Sequence, residues 1–99
     1  MTGSTALLTD HYELTMLQAA LAAGTAERRC VFELFSRSLP DGRRYGVLAG
    51  VGRALEALES FRCEEESLAA LDGVVDDRTL SWLASYRFSG DVRGYAEGE

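Results

Sequence analysis

The stretch RCVFELFSR, residues 29–37, restricts the fold more than any other part of the chain. It is rich in β-branched and aromatic residues and therefore reads as a strand, and a strand points successive side chains to opposite faces. The even positions Cys30, Phe32 and Leu34 are all apolar. The odd positions Arg29, Val31, Glu33, Phe35 and Arg37 mix apolar and charged groups. Both faces therefore require at least partial cover, and Glu33 requires a partner. Arg37 shares its face but lies roughly 13 Å along the strand, so another arginine can stand closer.

The rest of the chain has to supply that cover from few residues. With 99 residues, 46% of them hydrophobic, it has enough for one domain with a modest core and too few for two. Before the strand, Asp10 and Glu13 form a capping-box variant, with Asp10 accepting a first-turn amide and Glu13 reaching back. A helix is predicted from about Tyr12 to Ala23, stopped by Gly24. At about 100° per residue, Leu14, Leu17 and Leu21 form one stripe, with Tyr12, Met16, Ala19 and Ala23 nearly opposite, so this helix should be covered on two sides.

After the strand, PDGRR (40–44) is a turn. YGVLAGVGRALEALESF begins extended and becomes a helix near Gly50, with Val51, Ala54, Leu55, Leu58 and Phe61 on one face and Arg53, Glu56, Glu59 and Ser60 on the other. Glu64, Glu65 and Glu66 open a short helix through Leu71, where acidic groups suit the positive end of the dipole. Asp76 or Asp77 caps another helix that carries Leu80, Leu83 and Tyr86 inward. The end, FSGDVRGYAEGE, reads as a strand from Asp91 to Ala96 that stops without a closing turn, as if the chain were cut.

Charge narrows the functional classes. A net charge of −6 argues against nucleic acid or an anionic membrane as partner, because both need a basic face. All ten basic residues are arginine, a composition that suits planar bidentate partners and that GC-rich coding also produces. No apolar run approaches the roughly 18 residues of a membrane span, and the start MTGSTALLTDHYE lacks the pattern of a secretory signal, which points to the cytoplasm. Cys30 and Cys63 have neither metal-ligand spacing nor a CxxC partner and read as reduced, packed thiols.

Chemistry-bearing motifs are sparse. His11 beside Asp10 does not assemble a catalytic set, since adjacent helix-start residues point in different directions. Gly46, Gly50 and Gly52 fit neither GxGxxG nor GxxxxGK[ST] and suit close strand-to-helix packing better. Three consecutive glutamates on a helix cannot all face one ion. Tyr12 remains open: it is either core, or a ring and hydroxyl offered to an aromatic ligand at a helix start.

Four stretches in order, LLTDHYELTMLQAAL, VFELFSRSLP, GVLAGVGRALEALESF and YRFSGDVRGYAEGE, resemble the N-terminal region of nicotinate phosphoribosyltransferases over nearly the whole of residues 1–99. The resemblance implies an α+β region, helices plus a few strands of a sandwich-like domain, in a type II phosphoribosyltransferase whose α/β barrel lies largely outside this chain. It implies a homodimer that joins nicotinate to 5-phosphoribosyl 1-diphosphate in NAD biosynthesis, with magnesium and with ATP hydrolysis coupled through a transiently phosphorylated histidine. It implies that Tyr12 packs on the pyridine ring, across the dimer interface. Arg37 matches an arginine usual in the family, and two roles stay open for it: a contact near the phosphoribosyl substrate, or a structural ion pair with Glu33. Ser36, where the family often has Phe, and Ala96, where it often has Pro, depart from the pattern. His11 stands where an apolar residue is common and is not the phosphorylated histidine, which with the other contacts falls outside these 99 residues. The alternatives are a nicotinamide- or quinolinate-using relative and a non-catalytic dimerisation module.

Overall fold

The computed structural model describes residues 5–99. The reading of the first four residues, Met1 to Ser4, lies outside them. Four helices follow one another: α1 (His11–Ala23), α2 (Val51–Glu59), α3 (Glu65–Leu71) and α4 (Asp77–Ser85).

Helix α1 ends where predicted, because Gly24 takes the left-handed conformation (φ 75°) that glycine adopts without a Cβ clash. Its N–H donates to the Leu21 carbonyl at 3.2 Å and the Thr25 N–H to that of Ala20 at 2.8 Å, closing the last turn. The start of the helix corrects the expected box. Asp10 occupies the N-cap position, but its carboxylate accepts no capping bond. Glu13 instead accepts from the Thr9 hydroxyl at 2.5 Å. This end of the helix is exposed, so water can serve the first-turn amides and the carboxylate gains little by ordering itself. The cap of α4 does form: one oxygen of Asp76 accepts both the Thr79 N–H (2.9 Å) and the Thr79 hydroxyl (2.7 Å).

The core sits at the α3–α4 corner. Cys63, Ser67, Leu71, Val75 and Thr79 are its buried residues, and Thr79 is completely enclosed. The corner turns on Gly73 (φ 84°), with the Val74 and Val75 amides both donating to the Leu71 carbonyl. Helix α1 packs on α4. The half-buried side of α1 is Leu14, Leu17 and Leu21, and the half-buried side of α4 includes Leu80 and Leu83. Polar links run alongside: Gln18 accepts the Asp76 N–H at 2.7 Å, and the Arg78 guanidinium donates to the Leu21 carbonyl at 3.1 Å. Trp82 stacks on Tyr86, whose ring meets Phe61 edge-on, so the aromatic residues bring the end of α2 to α4.

Three expectations change. The second stripe of α1 is uncovered, with Tyr12 59% and Met16 63% exposed, so α1 is covered on one side. Cys30 is exposed rather than packed. Residues 29–37 and 91–96 form no strand, and no strand occurs among the described residues. Val31, Phe32 and Leu34 are at least 88% exposed. A strand needs a neighbour for its N–H and C=O groups, and the described residues present none along this stretch. The result is an extended molecule. Its radius of gyration is 16.2 Å, against about 13 Å for a compact domain of this length.

Candidate functional site

Tyr12 lies in the first turn of α1, whose N–H groups and dipole favour negative charge nearby. Its hydroxyl takes no hydrogen bond among the described residues, while its backbone carbonyl accepts from the Thr15 hydroxyl at 2.9 Å. The free ring, with exposed Met16 on the same stripe, is a flat apolar surface with a polar tip beside a helix N-terminus. That arrangement suits an aromatic carboxylate: stacking area for the ring and a positive dipole end for the charge.

Arg37 lies on the extended arm of residues 25–49 and is exposed. It forms no ion pair with Glu33 among the described residues, and its guanidinium is uncommitted among them. Among the described residues no hydrogen bond joins Tyr12 to Arg37. His11 is the exposed first residue of α1. The Glu64 to Glu66 run is a solvated helix start. The described residues gather no group of three or more His, Cys, Asp or Glu side chains able to hold a metal.

Of the glycines of GVLAGVG, Gly50 has a backbone explanation in place of the expected packing one. Gly50 sits at φ 89°, and a Cβ at Gly50 or Gly52 would meet nothing within 4 Å. Gly50 is the N-cap of α2 and has no side chain with which to cap it. A distant residue does so instead: the Glu97 carboxylate accepts the Gly50 N–H at 3.0 Å and the Val51 N–H at 2.8 Å. Beside it, the Leu48 N–H donates to the Glu99 carbonyl at 2.7 Å, and the Gly98 N–H to the Leu48 carbonyl at 2.8 Å. An open groove borders this clasp, lined by Ser36, Gly46, Val47, Leu48, Tyr95 and Glu99. Sequence reasoning missed Glu97, because nothing local couples positions 46 residues apart. The available signal was a predicted helix start with only glycine to cap it.

Among the described residues, the carboxyl of Asp76 and the thiol of Cys63 depart from their ordinary values. The hydrogen bonds from the Thr79 hydroxyl and then the Thr79 N–H hold the Asp76 carboxyl below the usual aspartate range. Burial pushes the Cys63 thiol up. Neither group is placed to react with a ligand at Tyr12 or Arg37; both belong to the core corner.

The family model of the nicotinate phosphoribosyltransferase (NAPRTase) N-terminal domain matches residues 7–99. The chain belongs to this family. It is 56% identical over 93 residues to nicotinate phosphoribosyltransferase pncB1 of Mycobacterium tuberculosis H37Rv, covering 94% of this chain and 21% of that protein. It is 48% identical over 98 residues to pncB2 of the same strain, covering 94% of this chain and 20% of that protein. A nicotinate phosphoribosyltransferase of Bacillus subtilis is 38% identical over 68 residues, 69% of this chain and 14% of its own length. The N-terminal domain thus spans about a fifth of the length of the M. tuberculosis relatives. No solved structure matches it. None of its described helices is long and apolar enough to cross a membrane.

Proposed function

We propose that a protein carrying this domain is a nicotinate phosphoribosyltransferase, acting in the cytoplasm as a homodimer on the route from nicotinate to NAD. The pyridine nitrogen of nicotinate forms its bond to the anomeric carbon of 5-phosphoribosyl 1-diphosphate as the bond to diphosphate breaks, giving nicotinate mononucleotide and diphosphate. Such a displacement passes through an oxocarbenium-like state, so the protein contributes mainly by positioning the base and stabilising charge. ATP hydrolysis is coupled to the reaction by residues outside this domain.

One observation carries the reading: the family match over residues 7–99 coincides with a tyrosine held at the first turn of α1 with its ring and hydroxyl uncommitted. Tyr12 packs on the pyridine ring, and the exposed stripe it shares with Met16, Ala19 and Ala23 lies at the contact with a second subunit. Arg37, with its guanidinium uncommitted among the described residues, contacts the phosphoribosyl substrate.

The test is steady-state kinetics of Tyr12→Phe and Tyr12→Ala in the full-length enzyme. Loss of the ring is expected to raise the nicotinate KM roughly tenfold, as loss of one stacking contact does, whereas loss of the hydroxyl alone changes it little. Unchanged turnover and nicotinate KM in Tyr12→Ala would refute the assignment.

A further inference from the structure

The arm that carries Arg37 is fastened at its two ends. At the first end, Thr25 closes the last turn of α1, and Glu27 accepts the Trp82 indole N–H at 2.9 Å. At the second, residues 97–99 clasp Leu48, Gly50 and Val51. Between them, the Pro40 turn, where the Arg43 N–H donates to the Pro40 carbonyl, is a local bond that does not tie the arm to the helices. Where Arg37 stands therefore depends on the two fastenings. The second is the one that meets its neighbourhood, because Ser36, adjacent to Arg37, lines the same groove as Leu48, Tyr95 and Glu99.

The geometry points to Glu97 as a positioning residue for Arg37: its carboxylate, held by two amides at the start of α2, anchors the end of the arm and so sets where the guanidinium meets the phosphoribosyl substrate. This inference rests on the reading of Arg37 given above. The physical reason is the donor set. The Gly50 and Val51 amides at the start of α2 have no acceptor within the helix, and a carboxylate serves both at once with charge-assisted bonds. A glutamine at position 97 keeps the shape but turns an NH2 toward one of the two donors. The clasp then loses one bond and its charge while the fold around it stays whole.

The experiment is a double-mutant cycle of Glu97→Gln and Arg37→Ala in the full-length enzyme, with KM for 5-phosphoribosyl 1-diphosphate, KM for nicotinate and kcat measured separately. Amide exchange over residues 46–51 gives a check on the clasp that does not depend on activity. In Glu97→Gln, exchange at Gly50 and Val51 should quicken and KM for 5-phosphoribosyl 1-diphosphate should rise roughly five- to tenfold, with nicotinate KM and kcat near those of the parent. The double variant should match Arg37→Ala alone, because a positioning residue has nothing left to position. A merely structural role would instead move all three constants or add to the effect of Arg37→Ala, and either result overturns the inference. A rise in Arg37→Ala with none in Glu97→Gln overturns it while leaving the reading of Arg37 intact. No rise in Arg37→Ala overturns that reading, and with it the assignment of what Glu97 positions.

Discussion

The corner between α3 and α4 and the arm of residues 25–49 are built from similarly apolar sequence and end in opposite states. At the corner, Leu71 and Val75 are 5% and 6% exposed; on the arm, Phe32 and Leu34 are 89% and 102% exposed. Hydrophobicity does not separate them, since VFELF is more apolar than the run through Asp72 and Gly73. The difference is the sequence distance to a partner. The corner residues find each other across one tight turn, whereas an extended segment can be covered and hydrogen-bonded only by something distant in sequence.

The largest effect that would test this contrast is on stability. Leu71→Ala should cost about 2–4 kcal/mol, as expected for removing a buried leucine, while Leu34→Ala in this chain should stay within about 0.5 kcal/mol. Urea midpoints compare them directly, and equal losses would mean that the arm is packed in solution. The cysteines sharpen the same contrast in rate. Exposed Cys30 should react with a thiol reagent at least about tenfold faster than Cys63, which is 6% exposed and whose thiolate burial disfavours. Similar rates would break the comparison.

The smallest effect distinguishes two helix starts. Because the pKa of Asp76 is depressed in the folded chain, its contribution is present above the ordinary aspartate value of about 3.9 and is lost as pH falls through its lower folded value. Acid titrations followed by circular dichroism should therefore show Asp76→Asn melting a few degrees lower than the parent at neutral pH, with the gap closing in acid. Asp10→Asn should leave α1 unchanged throughout, because the Asp10 carboxylate accepts no capping bond. A loss in Asp10→Asn equal to that in Asp76→Asn would remove the distinction.

The helices were readable because their signals are local: Gly24 stops α1, the glutamates open α3, and the aspartate at 76 starts α4. The strands were not, although 29–37 has strand composition, because composition states a preference and a ladder needs a second segment. Of the candidate site, the place of Tyr12 in the first turn of α1, on a stripe separate from Leu14, Leu17 and Leu21, was readable. Its exposure was not, since an apolar stripe on a helix looks the same whether its cover comes from its own chain or from another. The Asp10 box failed for a related reason: motif spacing does not show whether water already serves the amides.

What the sequence determined by itself is therefore the set of helix boundaries, the acidic balance and the family. These depend on neighbours within about a turn, on composition and on matched positions. Only the tertiary structure decided that α1 is covered on one side and that Glu97 caps a helix beginning 46 positions earlier. Each of these pairs groups far apart along the chain, and which distant group arrives at an unsatisfied amide or an apolar face is settled by packing rather than by local pattern.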